Sequence, residues 1–172
     1  MLFSILSLLQ IIWANCKLMA PHNQLESAAM KQSLYDAIGG LATLQKVHKI
    51  FYDKIYAHEW LRQFFAGHNQ QAIEDRQSAF MAEKMGVRGA YTGKEIKMVH
   101  EAMYITQELF DVRHALLEDS LKEAGVPEAL RQRWLRIDSA FMQQIIKDSL
   151  ESMYHNDWKF KKPIVIPKPA GK

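Results

Sequence analysis

The sequence predicts an all-α fold, and three observations carry that prediction. From Ser33 onward apolar residues recur at three- and four-residue intervals, the period of a buried helix face. These stretches are separated by sharp glycine and proline breaks at Gly39-Gly40, Gly86 to Gly89, Gly93 and Gly125-Val126-Pro127. No strand-like alternation precedes the tail. With 172 residues, 48% of them hydrophobic, the chain can bury one sizeable core and is expected to form one domain.

Residues 1–29 stand apart as an apolar extension. The run Met1 to Ala14 is too short for a spanning helix of roughly 20 apolar residues, and no positive region precedes it as in a secretory signal. An upstream translated extension, an atypical export signal or anchor, and a functional pre-helix are the three readings. The domain proper is placed at 30–154. Ser33 is an N-cap for a short helix through Ile38. A second helix over about Leu41 to His58 aligns Leu44, Val47, His48, Phe51 and Ile55. Trp60 to Asn69 is a turn region. Gln70 to Met85 is helical, with Ile73, Gln77, Phe80 and Met81 on one stripe. A short helix starting near Lys94 carries His100. Thr106 caps the next helix, striped by Phe110, His114, Leu117 and Leu121, and Pro127 suits the first turn of a last helix that runs to Tyr154. Residues 155–172 form a basic, proline-bearing tail expected to trail over the surface or stay disordered. Its lysines, Lys159, Lys161, Lys162 and Lys168, read as a solvated run rather than a lipid contact.

Composition narrows the function more by exclusion than by assertion. A net charge of +3 gives no nucleic-acid footprint, so no nucleic-acid partner is expected. The single cysteine, Cys16, excludes an intrachain disulfide framework and a multi-cysteine zinc site. Nine methionines fit a core around a large flat ligand, but composition alone favours an ordinary Met-rich helical core. Membrane contact is not expected. The protein is placed in the cytoplasm, or at a membrane or outside it if residues 1–29 are a working anchor or signal.

Within that frame His100 is the most informative residue. Ile96, Val99, His100 and Met103 fall on one apolar stripe, and an imidazole there needs a partner. A metal held mostly by something else, such as haem iron, is one such partner. Periodicity alone does not choose among His48, His100 and His114, each of which lies on an apolar stripe. Tyr52 and Gln77 read equally as core residues or as hydrogen-bond donors to a bound ligand.

The motifs Leu34-Tyr35-Asp36-Ala37-Ile38-Gly39-Gly40, Phe51-Tyr52, Phe64-Phe65-Ala66-Gly67, Gln77, Phe80, Tyr91-Thr92-Gly93 and Val99-His100 resemble those of the truncated haemoglobins, most closely group I. The likeness runs from Leu34 to about Lys147. It implies a compact two-over-two helical sandwich around haem b, with His100 as the axial ligand to iron and Tyr52 and Gln77 as distal donors. It also implies haem contacts from Phe65, with Ile73 at the distal gate, and Phe80 and Met81 are added as lining residues. Lys97, one turn before His100, is a candidate for a haem propionate. The sequence departs from the family in the loop after the distal helix, where Gly86 and Gly89 replace a glycine pair and Arg88 intervenes, and in both terminal extensions.

The function implied is binding of dioxygen, and of other diatomic gases such as NO or CO, for carriage, storage or sensing. A second reading is an enzyme that converts NO to nitrate with dioxygen, served by an external reductase, since this chain has no reductase-like glycine-rich motif. A third is a helical interaction protein without a cofactor.

Overall fold

Gly39 and Gly40 turn the chain where the sequence predicted a break. Both have positive φ, 96° and 70°, a region that glycine enters at little steric cost. They separate α1 (Leu34–Ala37) from α2 (Gly40–Ala57). The computed structural model describes residues 32–155 and 163–170. The chain divides into two units, Met1–Ser33 and Leu34–Lys172, and every element below belongs to the second. The expected extension over 1–29, with Cys16, and the tail lysines Lys159, Lys161 and Lys162 lie outside the described residues.

The predicted stripe of α2 is the buried one: Leu44, Val47, His48, Phe51 and Ile55 all face the core, joined by Tyr52. The expected turn region contains a 3-10 helix, Leu61–Phe65. Asn69 caps α3 (Gln70–Lys84) by accepting from Ala72 N at 2.9 Å. After a loop comes α4 (Ile96–His100), of only five residues. Thr106 caps α5 (Gln107–Glu123) as predicted, accepting from Leu109 N at 3.2 Å. Then follow α6 (Glu128–Ser139), α7 (Met142–Ile145) and α8 (Leu150–His155).

Helix α2 packs on α3 and on α5, α5 packs on α6, and α1 rests on α2 and α6. The result is the expected two-over-two sandwich. Leu44, Val47, Leu117, Leu121 and Trp134, at most 1% exposed, form its centre. Each fully buried aliphatic or aromatic side chain of this kind contributes about 1.5–3 kcal/mol. One ionic cluster ties α5 to α6. Arg113 grips both carboxylate oxygens of Asp138, His114 Nδ1 donates to Asp138 Oδ2 at 2.8 Å, and the guanidinium lies 5.0 Å over the Phe51 ring. Removing one partner of such a pair strands the other charge, at a cost of about 3–5 kcal/mol. Asp138→Ala is therefore expected to lower the urea midpoint by that amount of stability. Asp138→Asn, which keeps a carbonyl acceptor, should lose less.

Three expectations need correction. The last helix does not run to Tyr154. Phe141 N turns back to Asp138 O at 3.2 Å, Ile146 is extended, and Lys147 N donates to Ile105 O at 2.8 Å, so the helical ladder gives way to a tie across to the segment before α5. Pro127 sits at the cap position of α6, one residue ahead of its first turn, where its missing N–H costs nothing. Residues 163–170 of the tail are docked rather than trailing. Ile164 bridges Met103 in parallel register, Trp60 Nε1 donates to Ile166 O at 3.1 Å, Ile166 packs on the core, and Lys168 pairs with Glu108. Among the described residues no helix is long and apolar enough to cross a membrane.

Candidate functional site

A cavity of about 700 Å³ is lined by residues of α2, the 3-10 helix, α3, α4, α5 and α6, the size of a cofactor pocket. His100, Tyr52, Gln77, Phe65, Ile73, Phe80 and Met81 all line it. Lys97 does not. It is exposed, and Lys94 and Arg76 line the cavity instead.

Tyr52 reaches the cavity because α2 turns its buried face toward α3. Its ring stands edge-on to Phe51 at 5.0 Å and to Phe65 at 5.8 Å. The residue is 6% exposed, and its hydroxyl finds no hydrogen-bond partner among the described residues. Burial pushes the phenol pKa up to about 12, so it is a neutral O–H donor at physiological pH. Gln77 lies one turn along α3 from Ile73 and one turn before Phe80 and Met81. Its amide likewise has no partner among the described residues. Two donors thus line one apolar cavity with hydrogen-bonding capacity to spare, a state that a buried polar group keeps only at a cost or for a ligand.

His100 closes the short helix α4. Its Nδ1 bonds Ile96 O at 2.8 Å, and because a carbonyl only accepts, Nδ1 carries the proton. Nε2 keeps its lone pair and has no partner among the described residues. Burial lowers the pKa of this imidazole, and the nearby charges of Arg113 and Lys147 add to that, against the bond to Ile96. The ring is therefore neutral, with a ligating nitrogen free. No side chain of α4 is fully buried, and Met98 and Val99, 58% and 43% exposed, line the cavity and add to its apolar wall.

The other two candidate histidines are satisfied. His48 is 1% exposed, bonds Ser78 Oγ through Nδ1 at 2.8 Å and stands edge-on to Trp134. His114 bonds Asp138 and stacks on Phe110. Burial, helped by Arg113 and opposed by Asp138, lowers the His48 pKa to about 3. The unfolded imidazole titrates near ~6.5, so the native state binds fewer protons below that pH. Stability is full above ~6.5 and is lost as the pH falls toward about 3, at up to ~1.4 kcal/mol per pH unit for one proton. His48→Asn is expected to flatten the stability–pH slope between pH ~6 and ~4.5, where carboxylates are still ionised. Chemical denaturation at stepped pH reads it directly.

Among the charged and imidazole side chains on the lining, sequence reasoning missed His68, which is exposed in the turn before α3, and Arg76, Lys94, Arg113 and Asp138. Arg76 was within reach, since it lies three residues after Ile73 on the face already identified. Lys94 was harder, because its place depends on the loop. There the Tyr91 hydroxyl donates to Lys94 O at 2.8 Å, and the Tyr91 ring lies so close to Gly93 that any side chain at 93 would overlap it. Arg113 and Asp138 are visible only once α5 and α6 are paired.

The family model of the bacterial-like globins matches residues 33–148. The group 1 truncated hemoglobin GlbN of Mycolicibacterium paratuberculosis is 39% identical over 95 residues, covering 55% of this chain and 70% of that protein. This chain belongs to the truncated haemoglobins. The group 1 truncated hemoglobin of Tetrahymena pyriformis is 28% identical over 99 residues, with 58% of this chain and 82% of that one covered. In solved structures, the hemoglobin of the thermophilic phototrophic bacterium Chloroflexus aurantiacus superposes with a TM-score of 0.62 at 25% identity, over 68% of this chain and 99% of that one. The Fe(III) form of the Tetrahymena pyriformis truncated hemoglobin gives 0.63 at 24% identity, over 68% and 100%. A truncated haemoglobin holds haem and binds a diatomic gas at it. The cavity fits that group: it offers the half-buried His100 imidazole with a free nitrogen, spare donors and apolar walls. Among the described residues no cluster of three or more histidine, cysteine or carboxylate side chains could hold a bare metal ion.

Proposed function

We propose that this truncated haemoglobin binds dioxygen reversibly at haem b, with His100 as the axial ligand and Tyr52 and Gln77 as donors to the bound gas. The observation that carries the reading is the conjunction in one cavity of a neutral imidazole with a free nitrogen and two donors without partners among the described residues, Tyr52 buried and Gln77 half-buried. The haem-binding domain extends over residues 30–154.

Haem, when bound, supplies an iron that takes one imidazole and leaves its other face for a small gas. The chain does the rest. Ile96 O holds the His100 tautomer and orients the ring, as the second nitrogen of a ligating histidine is usually held. Phe65, Ile73, Phe80 and Met81 keep the cavity apolar and short of water. Tyr52, protonated because it is buried, and Gln77 present preset dipoles to a ligand that gains negative charge on binding. Lys94 and Arg76 on the cavity wall are the cations that would meet the haem carboxylates, the role expected of Lys97.

Absorption spectra of the purified, haem-loaded protein in ferric, ferrous and gas-equilibrated states test this. A Soret band that shifts reversibly with dioxygen is the expected result. Absence of the band would return the chain to the cofactor-free reading. Slow dioxygen release argues against transport, and rapid consumption of NO with an added reductase would favour the dioxygenase.

A further inference from the structure

We propose that the docked C-terminal strap, residues 163–170, is a positioning element for His100: the main chain of Ile164 clamps the segment that follows α4 and so sets the orientation of the imidazole in the cavity. The proposal rests on the reading of His100 as the axial ligand.

The need for such an element follows from α4 itself. A helix of five residues is far below the length at which a helix holds itself in water. None of its side chains is fully buried. Ile96 packs against the core and the helix touches α7, but so short a contact leaves much of its position to its flanks. Upstream, Tyr91 supplies one anchor, with its N–H on Glu83 Oε2 at 3.0 Å and its hydroxyl on Lys94 O at 2.8 Å. Downstream, Met103 N closes a turn onto His100 O at 3.1 Å. The next contacts come from the strap: Ile164 N donates to Ala102 O at 2.7 Å and Tyr104 N donates to Ile164 O at 2.9 Å. The Ile164 main chain thus brackets Met103, three residues after His100. Lys147 N on Ile105 O holds the following residue from the opposite end of the chain's last turns.

The strap has its own anchor. Trp60, 6% exposed, donates from Nε1 to Ile166 O, and Ile166 packs against the core. The Lys168–Glu108 pair joins side chains that are 61% and 56% exposed, and a pair that exposed adds little. The backbone bonds of Ile164 and the indole bond to Ile166 are therefore the parts that matter.

Two variants of the full chain test this. Ile164→Pro removes the N–H that reaches Ala102, at a residue that is 38% exposed and not part of the core. Trp60→Phe removes the indole donor and keeps a ring. Both are loaded with haem b and compared with the unaltered chain by amide hydrogen exchange at Tyr104, by the iron–histidine stretching band of the gas-free ferrous form, and by the rate of haem transfer to an acceptor apoprotein. The expected result is loss of Tyr104 protection, a shifted or broadened stretching band, and haem transfer faster by roughly tenfold, the order set by one or two lost hydrogen bonds. Helix content by circular dichroism should not change. An unprotected Tyr104 amide in the unaltered chain, or variants with an unchanged band and transfer rate, would overturn the proposal. Failure of the ligand reading is separate and visible: a stretching band that survives His100→Ala overturns that reading, and the positioning role with it.

Discussion

His100→Ala should lose most of its haem to a competing apoprotein, while His48→Ala and His114→Ala retain it. The other histidine on the cavity wall, His68, is an exposed residue of the turn before α3, so it is poorly placed to replace the lost metal bond. The effect should exceed the roughly 10–100-fold that removal of an indirect hydrogen-bond partner of a metal ligand costs. The other two substitutions act on folding instead. His48→Ala strands Ser78 and opens space against Trp134, and His114→Ala takes one hydrogen bond from Asp138. A buried group left unsatisfied costs about 1–3 kcal/mol, so these variants should melt earlier with their haem spectra intact. The measurement is haem transfer followed at the Soret maximum, alongside thermal denaturation. Equal haem retention in the His100 and His114 variants would show that the wrong imidazole had been chosen.

The three histidines show how far a sequence can be read. All three lie on apolar stripes, and periodicity treats them alike. What separates them is three-dimensional: Ser78 lies thirty positions from His48, and Asp138 twenty-four from His114. Family spacing singled out His100 without that knowledge. The long helices were legible for a simpler reason. Leu44, Val47, Phe51 and Ile55 on α2, and Leu117 and Leu121 on α5, recur at a period that only a helix buries on one side. The cap at Thr106 and the break at Gly39-Gly40 depend on local chemistry, so they too could be read.

What could not be read depends on contacts distant in sequence. The last helix looks continuous because Leu130, Trp134, Ile137 and Phe141 keep their period. It breaks after Ser139, and beyond α7 Lys147 N is tied to Ile105 O, more than forty residues back. The tail looks solvent-bound because it is basic and rich in proline. It docks because Ile164 and Ile166 meet a free main-chain edge at 102–104 and an indole at Trp60. Lys97 was named from its distance to His100 along the helix, but the Gly93 loop turns Lys94 to the cavity and leaves Lys97 outside it.

Tyr52→Phe should speed dioxygen release by roughly ten- to a hundredfold. The substitution keeps the ring that packs edge-on against Phe51 and Phe65 and removes only the hydroxyl. That hydroxyl is a full donor at neutral pH, since burial raises its pKa to about 12. Dioxygen gains negative charge when bound, and a hydrogen bond to a charged partner contributes about 1.5–3 kcal/mol. If the bond is broken before the transition state for release, each ~1.4 kcal/mol is a factor of ten in rate. Carbon monoxide is less polar when bound, and its release should change much less. Gln77→Leu should act in the same direction. The double variant should differ from the product of the single effects, because two donors in one cavity share the ligand and couple. Laser photolysis and stopped-flow displacement give both release rates on the same samples. An unchanged dioxygen rate in Tyr52→Phe would reduce the tyrosine to packing and remove the main support for dioxygen as the ligand this cavity is built to hold.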